Sequence, residues 1–220
     1  MVEIKNHKGK IGLEDYLEQC RNFHGFMGPG LVLGGMMVDW ALEAMEPSHI
    51  FSAVVETRKC LPDAVQILTK CSIGNGWLKI LDWGKLAITI YDINTLVGAR
   101  VHLDYEKVAR YPLVKAWALK EKLKTENPLE PLIDEMIKGG RDMLTCRKGV
   151  IGTIPEKLVP YEQPRLCSNC GEAFRCGSDN ICQGCLEPFF QGGVISIQPT
   201  QLSETENGHS QHSIVIRESG

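Results

Sequence analysis

Four cysteines near the C-terminus, Cys167 and Cys170 followed by Cys182 and Cys185, form two C-x2-C knuckles. Two such pairs can bring four thiolates to one tetrahedral ion, the arrangement of a structural zinc site. A pair of disulfides, or four idle thiols, is the plainer alternative. The stretch from Leu166 to Phe190 holds few large apolar residues, however, and so short a segment cannot hold a fold by burial alone. The spacing therefore predicts structural Zn2+ on this quartet, with Cys176 between the knuckles as a bystander.

Three more segments carry residue types that do chemistry. His24 lies in FHGFMGPG, residues 23–30, where glycines let backbone crowd a ligand and the amides opening the next helix can receive an anion. A histidine there suits metal binding or acid–base work, and equally a packed, hydrogen-bonded structural role. The segment ETRKCLPDAVQ, residues 56–66, reads as a strand handing over to a helix. Cys60 then sits at a helix N-terminus, where free amides and the dipole favour a thiolate. Asp63 and Gln66, three apart, can point to the same side. The alternative makes Asp63 a helix cap and Cys60 a core filler. In CSIGNGWL, residues 71–78, and DWGK, residues 82–85, glycines mark turns. Lys85 could reach an anion, although a solvated strand-end lysine is the simpler reading. There is no G-x-G-x-x-G, Walker loop or G-x-S-x-G elbow, which removes the commonest nucleotide and hydrolase chemistries.

The elements that must position these residues follow from periodicity. Leu13 to Asn22 is an amphipathic helix, and Leu31 to Met45 is a nearly all-apolar one in which Gly34 and Gly35 permit close approach of another backbone. Phe51 to Thr57 is a strand, Pro62 to Lys70 a helix, and Leu78 to Leu81, Lys85 to Tyr91 and Leu96 to Leu103 are strands. Pro112 to Leu123 and Pro128 to Met143 return to helical periodicity, and Val150 to Ile154 is one more strand. Short apolar runs at Val194 to Ile197 and Ile214 to Ile216 could add edge strands in a tail that is otherwise mobile. Strands gathered between helices predict an α+β layer.

At 220 residues the chain has room for one sizeable core and a small appendage. Its net charge of −3 offers no general attraction to phosphate backbones. The cysteine-rich segment itself carries Arg165 and Arg175 against Glu172, Asp179 and Glu187, so nucleic acid is not the expected partner. No apolar run spans a bilayer, and nine cysteines without a secretion signal fit a reducing cytoplasm.

Read together, the segments resemble the FmdE family, named for the FmdE component of formylmethanofuran dehydrogenase. Its first motif, approximately F-H-G-H-x-C-P-G-L, stands here as FHGFMGPGL; E-T-x-x-C-x-x-D-A-x-Q stands as ETRKCLPDAVQ; G-C-T-x-G-x-G-x-L with D-x-G-K stands as KCSIGNGWL with DWGK. The CSNCGE opening of the cysteine module, residues 167–172, is similar to the family's treble-clef finger. The resemblance implies an α+β core whose groove is lined by the His and Cys motifs, an auxiliary finger, homodimers, and a link to the molybdenum or tungsten enzyme of formylmethanofuran oxidation. Phe26 stands where the family has its second histidine and Gly28 where it has cysteine. Two potential donors are thus missing, and His24, Cys60 and Cys71 would form only an open coordination sphere for a second metal.

The expected organisation is an FmdE-like core of helices on a mainly antiparallel sheet at residues 1–154, a Pro-rich linker at 155–165, a zinc finger at 166–190 and a tail at 191–220. The expected function is a zinc-binding FmdE-like component or accessory of molybdoenzyme one-carbon metabolism, related to an oxidoreductase, with a metal or small ligand in the core groove. His24 and Cys60 are its candidate catalytic residues and Asp63, Gln66 and Lys85 its candidate ligand-binding ones. Two alternatives remain open: a thiol-dependent enzyme using Cys60 and His24, and a protein-interaction adaptor built on the finger.

Overall fold

The computed structural model describes residues 3–45, 50–121, 128–154, 164–174 and 180–186. The chain divides into two compact units, Met1–Glu156 and Lys157–Gly220. The first opens with an antiparallel hairpin, β1 (Glu3–Asn6) and β2 (Gly9–Gly12), followed by α1 (Leu13–His24) and α2 (Pro29–Ala44). Then come β3 (Phe51–Val55), α3 (Leu61–Leu68), β4 (Leu78–Ile80), β5 (Ala87–Asp92) and β6 (Val97–Leu103). A 3-10 turn leads to α4 (Pro112–Ala118), α5 (Leu129–Gly139) and β7 (Leu144–Val150). Among the described residues β3 to β7 form one five-stranded sheet in the order β4-β3-β5-β6-β7, antiparallel except for the parallel β3–β4 pair. The fold is α+β with a mainly antiparallel sheet.

One face of the sheet carries Ala53, Val55, Ile88, Ile90, Ala99, Val101 and Leu144, which meet the helices in a single core. At its centre lies α2, apolar all round, with Leu31, Leu33, Met37, Val38 and Ala41 fully buried. Such a helix folds because each large buried side chain contributes about 1.5–3 kcal/mol of transfer free energy, not because it is amphipathic. Asp39, the one charge in that stretch, accepts from the Lys5 amide at 2.8 Å and from Arg141 at 2.5 Å. It thereby ties the N-terminal hairpin and the turn before β7 to α2.

Glycines set how closely the other helices approach α2. A Cβ on Gly34 would stand 2.6 Å from that of Ala64 on α3, and one on Gly35 would overlap the buried Tyr16 ring of α1. Tyr16 cannot yield easily, because its hydroxyl donates to the Leu31 carbonyl at 2.7 Å.

Several boundaries differ from the sequence reading. Helix α1 runs on to His24 and ends at Gly25, whose φ of 85° lets its N–H reach the Arg21 carbonyl at 3.0 Å. The strand expected at Val150 to Ile154 lies at Leu144–Val150, and the residues after it are irregular. Thr145, Arg147 and Lys148 hide it: at a sheet edge a polar, half-exposed strand shows no apolar alternation. The helical pattern that ran through to Met143 breaks at Gly140 (φ 50°), and a 3-10 turn follows. Of the helix expected at Pro112 to Leu123, Pro112–Ala118 is formed, and residues 122–127 lie outside the described residues. So do most of the expected linker, Cys176, the tail and its two candidate strands.

Gly34→Ala and Gly35→Ala should each lower stability by about 1–3 kcal/mol through overpacking. Urea denaturation followed by circular dichroism would measure this, with the larger effect at Gly35.

Candidate functional site

The strand β3 hands over to α3 through Glu56 to Cys60, and the handover is strained. Cys60, the N-cap of α3, has φ 55° and ψ −49°. The Leu61 N–H donates to the Lys59 carbonyl at 2.6 Å, closing a γ-turn centred on Cys60. Residues with side chains rarely adopt this conformation, and it recurs where a group must be presented for chemistry. The Cys60 carbonyl accepts from the Asp63 and Ala64 amides at 3.1 and 3.2 Å, so the turn runs directly into the helix.

His24, in the last turn of α1, meets this corner. Its Nδ1 lies 2.6 Å from Asp63 Oδ2, and its Nε2 lies 3.9 Å from Cys60 Sγ. A carboxylate can only accept, which places the ring proton on Nδ1 and leaves Nε2 as acceptor toward the thiol. Thiol, imidazole and carboxylate thus stand in line, with the base oriented by a third group. Asp63 does not cap α3: the helix has no side-chain cap. Its second oxygen is 3.5 Å from Gln66 Nε2, while Gln66 Oε1 faces the Ile73 amide at 3.4 Å. Four of the five core residues singled out in the sequence therefore converge. The fifth, Lys85, has its ammonium 5.4 Å from the centre of the Trp83 ring.

The surroundings explain how the site is open yet held. Gly30 at the start of α2 leaves room for Cys60: a Cβ there would be 2.8 Å from Cys60 Cβ and 3.2 Å from Sγ. At Gly28 a Cβ would sit 3.7 Å from Cys60 Sγ, in ordinary contact and at an unstrained φ of −112°. The position where the family motif carries cysteine is thus beside the thiol. Phe26, where the motif carries histidine, packs its ring on His24 with centroids 4.6 Å apart. Cys71 is not a member: it is buried and its thiol donates to the carbonyl of Phe51, at the opposite end of β3. Below the site on α1 lie Cys20 and Tyr16, fully buried, and burial pushes both pKa values up. Neither had a sequence motif; their i, i+4 spacing to His24 was the available signal.

The second unit contains a short hairpin, β8 (Arg165–Leu166) and β9 (Ala173–Phe174), and one helical turn, α6 (Gln183–Leu186). The Sγ atoms of Cys167, Cys170, Cys182 and Cys185 all lie within 4.8 Å of one another. Gly171, with φ 75°, turns the first knuckle back so that its amide donates to the Cys167 carbonyl. The amides of Asn169 and Cys182 point at Cys167 Sγ from 3.4 and 3.3 Å. Such backbone donors bring the Cys167 thiol down to about 6. Cys170 is pushed up to about 12, the pull of the Glu172 amide being outweighed by desolvation and by the neighbouring thiols. Four soft donors at this separation fit a tetrahedral zinc site, whose charge would release the remaining protons. Among the described residues this is the group of three or more donors able to hold an ion; in the core, Cys60 and His24 are two.

No helix of the described residues is long and apolar enough to cross a membrane. Comparison with known proteins agrees with the motifs. The family model FmdE, described as molybdenum formylmethanofuran dehydrogenase operon, matches residues 23–151, more than half of the chain. The chain is similar to a probable S-adenosyl-L-methionine-binding protein of Archaeoglobus fulgidus, 28% identical over 194 residues, covering 79% of this chain and 53% of that one. It thus spans about half the length of that relative. The crystal structure of an FmdE-like protein of tungsten formylmethanofuran dehydrogenase, from Syntrophus aciditrophicus, is similar over 86% of this chain and 100% of its own. Identity there is 36% and the TM-score 0.72. Motifs, fold and cysteine cluster agree, and the chain belongs to the FmdE family.

Proposed function

We propose that this chain is a zinc-binding accessory protein of molybdenum- or tungsten-dependent formylmethanofuran chemistry, and that its core groove works as a thiol site. The observation that carries the thiol reading is the line from Asp63 through His24 to the strained Cys60. In it Nε2 takes the thiol proton, the thiolate attacks an electrophilic carbonyl carbon, and the proton passes to the group that leaves as the S–C bond forms. Gln66 steadies Asp63, and Phe26 walls one side of the imidazole. The link to formylmethanofuran chemistry rests on the family description and on the Syntrophus protein. A homodimer in the cytoplasm, in contact with the molybdenum or tungsten enzyme, is the setting this reading carries.

Cys167, Cys170, Cys182 and Cys185 would hold zinc as a closed structural ion, supplying the folding free energy that a finger of residues 166–190 lacks. The organisation that goes with it is a core at 1–154 joined to the finger by the linker at 155–165. A second metal in the core is disfavoured because Phe26 and Gly28 leave Cys60 and His24 as a two-donor set.

Metal analysis should find about one zinc per chain, retained in Cys60→Ala and lost in Cys182→Ala; zinc retained without Cys182 would remove the structural site. Cys60 should alkylate readily well below the range near pH ~8.5 where an ordinary thiol ionises, and His24→Ala should slow it by about tenfold or more. Ordinary thiol behaviour would end the thiol reading, and an ion lost specifically with Cys60 would replace it by a core metal site. Because position 28 adjoins Sγ without strain, Phe26→His with Gly28→Cys should gain a second metal equivalent and lose thiol reactivity.

A further inference from the structure

A strained residue persists only where its surroundings over-determine it. Around Cys60 the restraints can be ranked. Downstream, its carbonyl begins α3, and laterally Gly30 of α2 admits its side chain. Within the turn the Thr57 hydroxyl accepts the Lys59 amide at 3.3 Å, and Arg58 Nε meets Asp82 at 2.6 Å in an exposed pair. Exposed pairs restrain little. Upstream stands Glu56, the residue that ends the strand, whose side chain is only 5% exposed. Its carboxylate takes a two-pronged bond from Arg100 of β6, Nε at 2.6 Å and Nη2 at 2.9 Å. Its backbone is held too: the amide donates to the Ala87 carbonyl, and the carbonyl accepts from Trp83 and Lys85.

The fork is placed where a stabilising role alone would not call for it. Arg100 faces Arg147 directly across β6 and β7, and like charges so placed repel. Burying a carboxylate also costs desolvation, which a well-packed apolar pair would avoid. What the fork adds is geometry: two parallel bonds fix the Glu56 side chain in position and angle.

We infer that Arg100 is a positioning residue for Cys60: its fork on Glu56 anchors the strand end from which the strained turn leaves, and so sets the thiol against His24 Nε2. This rests on the thiol reading of the site. Arg100 does not itself touch the thiol in this role. It explains why a glutamate stands four residues before the cysteine and why its partner comes from a distant strand.

The test uses the full-length zinc-loaded protein as wild type, Glu56→Gln, Arg100→Ala and Arg100→Lys. Iodoacetamide labelling of Cys60 is followed by peptide mass spectrometry between about pH 6 and 9, with circular dichroism and zinc content on the same samples. The groups facing Cys60, namely His24 with Asp63, Tyr16 and Cys20 of α1, and the adjacent Lys59, are the same in every variant. Arg100→Ala and Glu56→Gln should lower the neutral-pH labelling rate by about tenfold or more and move the profile toward that of an ordinary thiol. Arg100→Lys, which keeps charge but not the fork, should recover part of the rate. If Arg100→Ala does not fold, the near-isosteric Glu56→Gln decides. A folded Glu56→Gln with the wild-type rate and profile overturns the positioning role while leaving the thiol reading intact. A wild-type Cys60 that labels like an ordinary thiol overturns both.

Discussion

The close approach of three helices at α2 is the constraint on which the rest of the core depends. Gly30 admits Cys60, Gly34 admits Ala64, and Gly35 admits the Tyr16 ring, so α1 and α3 lie against one buried helix. Because α1 carries His24 and α3 begins at Cys60 and carries Asp63, the same contacts that close the core bring the candidate site together. Packing and chemistry are therefore not separable here: a side chain at those glycines would move the helices that hold the thiol, imidazole and carboxylate. Interiors as dense as a protein core transmit such shifts instead of absorbing them.

The site itself shows how a change of donors alters chemistry without altering a frame. The glycine at position 28 leaves open space beside Cys60 Sγ, and the phenyl ring at position 26 lies on the imidazole. With a thiol and a second imidazole at those places, Cys60 and His24 would have companions enough for a metal. Without them the soft donor faces an imidazole oriented by Asp63, an arrangement suited to nucleophilic chemistry. The second unit follows another logic. Its hairpin has two residues per strand and its helix one turn, too little buried surface to fold unaided, so cohesion falls to the four thiols.

Much of the fold was legible because punctuation residues mark it. Pro29, Pro62 and Pro112 start helices, Gly25 ends one, and the apolar run of α2 announces a buried element. The hairpin β1–β2 and the edge strand β7 were not legible, since their residues are largely polar and half exposed, and at an edge only pairing with a neighbour makes them strands. The parallel placement of β4 beside β3 was equally hidden: it depends on α3 crossing between them, which local pattern does not encode.

What the amino-acid sequence determined by itself was the inventory and the local spacing: two cysteine knuckles, a cysteine placed before a helix with an acid and an amide in its first turns, and a histidine in a glycine-rich corner. These are short-range properties, set by covalent neighbours and helical period. Only the tertiary structure decided which of them meet. That Asp63 turns to His24 instead of capping its own helix, that Cys71 faces away at the other end of β3, and that Arg100 reaches Glu56 from another strand all depend on contacts between residues remote in the chain. Such contacts form when apolar faces are buried together, and the pairing of polar groups at their margins follows from where the packed backbones then lie.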